Sequence, residues 1–195
     1  MLINVPKILN KALTTYYKLK VWVYKMIVSD EAASYVLFES IRPDIVLRMF
    51  GAKIGNNVRI NRGLLLHETN NSFANLSIGD DVHIGKFAFI DLSGKVTIGN
   101  RVGIGMSAKI LTHQNLGDSY LKEVYPKNKG DIEIPDDVVI SAGSIILFPT
   151  KLAKKTLVSA GSVVRGEFDS PCVLIGNPAR PSLNIKFKEM ADESS

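Results

Sequence analysis

The chain has 195 residues, 46% of them hydrophobic, which is enough for one domain with a continuous core and a short appendage. Its single cysteine, Cys172, excludes an intramolecular disulfide and fits a reducing compartment. The formal net charge is +5, and residues 1–29 carry five lysines and no acidic residue, so residues 30–195 balance 19 basic against 19 acidic side chains. Because a nucleic-acid-binding protein carries positive charge on its folded body, nucleic acid is not expected as a partner.

Residues 1–29 predict an amphipathic helix, because apolar residues recur at steps of three and four with the lysines mostly off that stripe. The stripe consists of Val5, Ile8, Leu9, Ala12, Leu13, Tyr16, Leu19, Val23 and Ile27. Lys25 interrupts the apolar sequence before it reaches the length of a secretion signal, so we expect a cytoplasmic protein. The helix is expected either to pack on its own domain or a neighbouring subunit, or to bind peripherally to the inner face of an anionic membrane.

Two shorter helices are predicted next. Pro43 ends the first, and the second begins at Pro43-Asp44, runs through Phe50 and is closed by Gly51. Residues 1–51 therefore form a predicted helical N-terminal segment.

From residue 54 onward, apolar residues recur every six positions. They are Ile54, Ile60, Leu66, Ile78, Ile84, Ile90, Ile98, Ile104, Ile110, Ile134, Ile140, Ile146, Leu152, Val158 and Val164. An α-helix would spread this period over three faces, whereas a unit of one short strand and one turn points each branched residue inward. Three units make a triangular coil, so the period predicts an all-β, parallel β-helix of five coils at residues 52–182, followed by a tail at 183–195.

Glycine often follows the inward position, at residues 55, 79, 85, 99 and 105. We interpret these glycines as permitting the backbone conformation of the turns. The frame breaks at residues 67–77, near 95–97 and, for the longest stretch, at 111–133. Breaks in a repeat mark loops that often carry function, and the longest one contains His113.

Five motifs mark residues 42–182: GAKIG at 51–55, Thr112-His113, IPDDV at 134–138, VSAGSVV at 158–164 and GNPARP at 176–181. With these motifs the region resembles the hexapeptide-repeat acetyltransferases, the group that includes galactoside and maltose O-acetyltransferases and the O-acetyltransferases of surface polysaccharides. The resemblance implies a left-handed β-helix and homotrimers with active sites between adjacent subunits. It also implies acetyl-CoA as the donor and a hydroxyl or amine of a sugar or glycan as the acceptor.

His113 matches the catalytic histidine of that family by its place just past a coil strand. A hydroxyl is a poor nucleophile at neutral pH and needs a base to accept its proton as it attacks the thioester. A free imidazole, with a pKa of about 6.5, suits this task. The resemblance therefore assigns His113 as the general base.

The resemblance also assigns residues to acetyl-CoA. Ala142, with Gly143 in the same turn, matches the position whose amide approaches the acetyl group. Ala160 matches a position that contacts the pantetheine arm. Arg180 matches a basic residue near the nucleotide phosphates, with Arg165 assisting it.

Asp91 and Asn115 are the candidates on the acceptor side. Asp91 is expected close to the level of His113, where it would orient the imidazole or bind the acceptor, unless it is an ordinary turn residue. Val139 and Gly85 stand where the galactoside and maltose branch has an aromatic residue and an acceptor-binding asparagine. These departures favour the polysaccharide branch.

Other functions are known on the same fold. A γ-class carbonic anhydrase needs two metal-binding histidines five residues apart, whereas His67, His83 and His113 are 16 and 30 residues apart, so no metal is expected. Serine O-acetyltransferases carry a longer helical N-terminal domain. A non-catalytic scaffold or capping protein and an amino-sugar N-acetyltransferase stay open as alternatives.

Overall fold

A computed structural model describes residues 7–28 and 31–184. The described residues form three α-helices, α1 (Lys7–Val28), α2 (Ala32–Glu39) and α3 (Pro43–Met49), followed by a coil of short strands. Helix α3 has Pro43 in its first turn, and Gly51 follows it with a φ of 98°, as the sequence predicts.

Helix α1 packs on its own domain, but not through the apolar stripe that the sequence suggested. Tyr17 and Val21 are its buried residues, and Leu13 and Tyr24 are partly buried beside them. Of the predicted stripe only Leu13 contacts the core, since the other described members are exposed and Val5 lies outside the described residues. The predicted stripe is therefore the outward face of α1, and a second apolar face packs on the domain, because α1 carries apolar residues around most of its circumference. Contact of the stripe with a neighbouring subunit or with a membrane stays a prediction.

The strands follow one another around three faces of a prism. The first face holds β1 (Lys53–Ile54), β4 (Leu76–Ile78), β7 (Val96–Ile98) and β12 (Ile132–Ile134). The second face holds β2 (Arg59–Ile60), β5 (His83–Ile84), β8 (Gly103–Ile104), β13 (Val139–Ile140), β15 (Leu157–Val158), β17 (Cys172–Gly176) and β18 (Ala179–Asn184). The third face holds β3 (Leu65–His67), β6 (Phe89–Asp91) and β9 (Lys109–Leu111). Strand β14 (Ile145–Leu152) pairs with β9 of the third face and with β12 of the first, and β16 (Val163–Phe168) pairs with β14. The strands pair in parallel from coil to coil, and the solenoid is a left-handed β-helix.

The inward positions of the six-residue period build the core. Thirteen of the fifteen predicted residues are buried, and Ile54 and Ile60, in the first coil, are partly buried against the core. The second face has six parallel strands, so the coil is longer than the predicted five turns. The additional strand β17 was missed because its buried Leu174 follows Val164 by ten residues and falls outside the period.

The glycines after the inward positions serve close stacking of the coils and not an unusual backbone conformation. Gly85 and Gly105 do not have a positive φ, in contrast to Gly143 and Gly161. A Cβ atom on Gly105 would lie 2.5 Å from the amide nitrogen of Ala142 in the next coil. The interpretation that these glycines permit the backbone conformation of the turns was therefore wrong, because the spacing between coils leaves no room for a side chain there.

Candidate active site

Two edges of the prism matter for the site. The second corner lies between the second and third faces, and the third corner lies where each strand of the third face ends and the chain returns to the first face. Residues that directly follow the last inward residue of a coil stack in a column at the third corner: they are His67, Asp91, Leu111, Leu147 and Arg165. His67 and Asp91 are direct partners in the β3–β6 register. The parallel pairing therefore brings together residues that are far apart in sequence.

His113 begins a short antiparallel hairpin at this corner, formed by β10 (His113–Gln114) and β11 (Asn128–Lys129). Its Nδ1 atom lies 2.7 Å from Oδ2 of Asp91 and 3.0 Å from Oγ of Ser93. The Asp91 side chain is 1% exposed and that of His113 is 17% exposed. With Asp91 ionised, Nδ1 is the donor, so the lone pair of the neutral imidazole is on Nε2.

The Asp91 carboxylate is held by several donors besides His113. Oδ2 accepts the Thr112 N–H at 2.8 Å, and Oδ1 accepts the Ser93 N–H at 3.1 Å and the Ser93 hydroxyl at 3.0 Å. Burial alone would raise the pKa of Asp91, but hydrogen bonds from the side chains of Thr112 and His113 and from the backbone of Ser93 and Thr112 outweigh it and lower the pKa below its ordinary value. Asp91 is therefore a carboxylate at neutral pH.

A cleft of about 370 Å³, here called the His113 cleft, opens beside this pair. Its walls are His67, Phe89, Asp91, Leu111, His113, Gln114, Asn115, Leu147, Phe148 and Arg165. The rings of His67 and His113 are stacked with centroids 6.1 Å apart, and the centroid of the Phe89 ring lies 5.8 Å from that of His67. The predicted acceptor-side residues Asp91 and Asn115 thus share one cleft with His113.

Arg165 also lies in this cleft and has no ion-pair partner in the described part of the chain. The sequence analysis grouped Arg165 with Arg180, whereas the structure places it in the column of Asp91. Its position was readable from the period, because Arg165 follows Val164 just as Asp91 follows Ile90.

His67, Glu68 and His113 offer ligand atoms that lie within 4.8 Å of one another, an arrangement able to hold a metal ion. The Nε2 atom of His67 lies 3.8 Å from Oε1 of Glu68. The third histidine, His83, lies on the second face and pairs with the Asn61 amide at 3.1 Å. The expectation of no metal cofactor stays a prediction.

Of the residues predicted to bind acetyl-CoA, Ala142, Gly143 and Ala160 lie at the second corner. Gly143 and Gly161 have φ values of 68° and 69°, and their N–H groups donate to the carbonyls of Met106 and Ala142 at 2.9 and 3.0 Å. The N–H groups of Ala142 and Ala160 have no acceptor among the described residues. They form a column of free amide donors that runs along the edge of the prism.

Arg180 lies at the C-terminal end of this column. The turn between β17 and β18 is next to the second corner, because the Gly176 N–H donates to Oγ of Ser162 at 3.1 Å. The Arg180 side chain is exposed, and its guanidinium donates to the Ala179 carbonyl at 3.0 Å.

One chain does not bring the two groups together. Within one coil, residue 107 lies at the second corner and His113 lies at the third. The six residue steps of largely extended chain between them span roughly 20 Å at about 3.3 Å per residue. The His113 cleft and the free amides of Ala142 and Ala160 therefore lie on different edges of the prism.

Sequence reasoning also missed His67 and Ser93, although His67 directly follows the inward residue Leu66.

Comparison with known proteins finds a sugar acyltransferase, a serine acetyltransferase and the bifunctional protein GlmU as relatives. The dTDP-4-amino-4,6-dideoxy-D-glucose acyltransferase of Escherichia coli is 30% identical over 135 residues, which cover 66% of this chain and 69% of that protein. The bifunctional protein GlmU of Listeria welshimeri is 30% identical over 135 residues, 58% of this chain and 29% of that protein. A serine acetyltransferase of Staphylococcus epidermidis is 32% identical over 126 residues, 65% of this chain and 57% of that protein. The chain thus spans well under two thirds of the last two relatives. No protein-family model matches the sequence.

Solved structures share the fold. The hexapeptide-repeat containing acetyltransferase VCA0836 from Vibrio cholerae superposes with a TM-score of 0.67 at 20% identity, covering 91% of this chain and 93% of that one. Its complex with acetyl coenzyme A gives a TM-score of 0.58 at 21% identity, covering 89% of each chain. AntD, an N-acyltransferase from Bacillus cereus solved with dTDP and 3-hydroxybutyryl-CoA, gives 0.53 at 22% identity, covering 71% of this chain and 74% of that one. The chain is 30% identical to the Escherichia coli enzyme across more than two thirds of that protein, and it has the same β-helical fold as the solved acyltransferases. The chain therefore belongs to the hexapeptide-repeat acyltransferases.

Proposed function

We propose that the protein transfers an acetyl group from acetyl-CoA to a hydroxyl of a sugar or surface-polysaccharide precursor in the cytoplasm, with His113 as the general base. The observation that carries this proposal is the contact between the buried Asp91 carboxylate and Nδ1 of His113 at 2.7 Å. A carboxylate in this place fixes the imidazole tautomer and stabilises the imidazolium that forms when Nε2 accepts a proton.

The reaction needs few groups. Nε2 of His113 accepts the proton of the acceptor hydroxyl as its oxygen attacks the thioester carbonyl, and a backbone N–H donates to the developing oxyanion. The tetrahedral intermediate collapses, the carbon–sulfur bond breaks, and the imidazolium returns the proton to the CoA thiolate. Nitrogen attack by an amino sugar would follow the same path.

The donor site is proposed along the free amides of Ala142 and Ala160, with Arg180 at the phosphate end. Two related folds were solved with CoA derivatives, which supports an acyl-CoA donor. Because these amides and His113 lie on different edges of one chain, we propose a homotrimer in which one subunit supplies His113 and its neighbour supplies the second corner. The exposed apolar side chains of Phe87, Met106 and Val139 at this edge and on the adjoining second face support a covered subunit contact.

The acceptor is proposed to enter the His113 cleft. Arg165 and Asn115 provide polar donors there, and the Phe89 ring provides an apolar surface. The second candidate is N-acylation of an amino sugar, which the relationship to an acyltransferase named for dTDP-4-amino-4,6-dideoxy-D-glucose favours. A panel of hydroxyl and amino acceptors, including nucleotide-linked sugars, separates the two candidates.

The decisive experiment compares variants of the two edges. His113→Ala is expected to lower acetyl transfer by about 10²- to 10⁴-fold while acetyl-CoA binding, measured by calorimetry, stays nearly unchanged. Arg180→Ala is expected to raise the KM for acetyl-CoA with little loss of kcat. Tyr120→Ala is the control, because this side chain is in the same loop as His113 and is 90% exposed. Full activity of His113→Ala would exclude His113 as the base, whereas no acetyl transfer by the unaltered chain to any acceptor of the panel would favour the non-catalytic scaffold.

A further inference from the structure

Helix α1 is fixed to the domain along one side. Tyr17 and Val21 are buried against the rest of the N-terminal segment. The Lys20 ammonium lies 2.6 Å from a Glu39 carboxylate oxygen, and the Arg42 guanidinium donates to the Asn10 side chain at 3.3 Å. These contacts determine which side of α1 faces outward.

The outward side is strongly apolar. Ile8 is 84% exposed, Met26 70% and Ile27 77%. The further large apolar residues exposed on α1 are Leu9, Tyr16, Leu19, Trp22 and Val23. At about 100° per residue these eight side chains form one continuous stripe along the 22-residue helix, which is roughly 33 Å long.

A row of lysines follows one edge of that stripe. Lys11, Lys18 and Lys25 are exposed and spaced seven residues apart, so they lie nearly above one another along the helix. The helix contains no aspartate or glutamate. Trp22 and Tyr16, which have apolar rings with a polar edge, lie in the stripe itself.

We infer that α1 docks the protein on the surface of an anionic lipid bilayer, lying parallel to it with the apolar stripe in the headgroup region. An apolar face edged by lysine, with an exposed tryptophan, is the pattern of interfacial helices. None of the described helices combines the length and apolarity needed to cross a membrane. A second copy fits this face less well, because pairing two such helices through their stripes would bring lysine rows together with no acidic residue on α1 to neutralise them. This inference does not depend on the proposed catalytic function.

The charge distribution of the chain supports the same occupant. All the excess positive charge is in residues 1–29, whereas the remainder is formally neutral. The net attraction to anionic headgroups is therefore concentrated on the segment that contains α1 and orients the protein with this helix toward the lipid.

The test is sedimentation of the full chain with vesicles of phosphatidylcholine alone or mixed with phosphatidylglycerol. We expect binding to the mixed vesicles that weakens with salt and is much weaker on phosphatidylcholine alone. Replacing Lys11, Lys18 and Lys25 by Gln should weaken binding about a hundredfold, since each lysine near such a surface contributes about fivefold. The double variant Trp22→Glu, Met26→Glu should abolish it.

The matched control is Tyr120→Glu, Val124→Glu, which puts the same charges on equally exposed apolar residues of the loop. It should bind vesicles as the unaltered chain does, and all variants should keep the unaltered far-UV spectrum and light-scattering mass. Failure of the intact chain to bind mixed vesicles at low salt would overturn the inference. A loss of oligomer mass in Trp22→Glu, Met26→Glu with vesicle binding unchanged would overturn it in favour of a second copy on this face.

Discussion

Replacement of Asp91 by asparagine isolates the contribution of the buried carboxylate. An amide has one acceptor end and one donor end, whereas the Asp91 oxygens accept from Ser93 on one side and from Thr112 and His113 on the other. If the amide oxygen faces Ser93, its NH₂ group opposes the Thr112 N–H and donates to Nδ1, so the imidazole proton moves to Nε2 and the base is lost. The opposite orientation places NH₂ against the Ser93 N–H.

Both orientations leave a buried donor without an acceptor, which costs about 1–3 kcal/mol of the free energy of unfolding. For a chain of this size that lowers the Tm by about 2–10 °C. The kcat should fall by roughly 10²- to 10⁴-fold, the usual contribution of a positioned general base. The KM for acetyl-CoA should change little, because the free amides of Ala142 and Ala160 are at the other edge.

The assay follows release of the CoA thiol with a saturating acceptor, and calorimetry gives the Tm. The matched control is Asp131→Asn, since Asp131 is exposed and its carboxylate accepts a backbone N–H from Lys95 at 2.8 Å. The reasoning is refuted if Asp91→Asn keeps kcat within about threefold of the unaltered enzyme, or if Asp131→Asn loses as much.

Three further outcomes are expected. The pKa of Asp91 is lower in the folded state than its ordinary value of 3.8, so this carboxylate stabilises the protein above pH 3.8 and loses that contribution as the pH falls through the folded-state pKa. The free energy of unfolding of Asp91→Asn should therefore depend less on pH below about 4 than that of the unaltered protein. The same pH dependence in both proteins would contradict this. Gly105→Ala should lower the free energy of unfolding by about 1–3 kcal/mol and raise the KM for acetyl-CoA, because its Cβ would lie 2.5 Å from the amide nitrogen of Ala142 in the next coil. The control Gly103→Ala should have little effect, because its Cβ would lie 3.9 Å from its nearest neighbour. Thermal melts and steady-state kinetics compare the two variants. EDTA should leave activity unchanged and added Zn²⁺ should inhibit, less strongly in Glu68→Gln; loss of activity in EDTA would contradict the prediction of no metal cofactor.

The coil was predictable because burial in it depends on one position in six. The residues Ile98, Ile104 and Ile110 show this directly, since each is the last residue before a corner and each is buried. The six-residue period failed where the spacing between inward residues changed, as at Leu174. In α1, the steps of three and four residues did not identify the face that packs on the domain. There, Tyr17 and Val21 were selected by tertiary contacts that leave no periodic signal.

The site was predictable in part. His113 and Asp91 were identified and do meet, because His113 closely follows β9, which pairs with the strand β6 that carries Asp91. The position of Arg165 could have been read by aligning the coils, since it occupies the same place as Asp91. Ser93 could not, because its contact with Nδ1 depends on the path of the chain after the strand.

The antiparallel strand β18 determines how the stack ends. A parallel coil presents an unpaired strand edge on each face after its last turn, which is a template for further chains. Strand β18 reverses direction and pairs with β17, and it carries Pro181, which has no N–H to offer. The second face is thereby blunted against end-to-end polymerisation at this end of the prism.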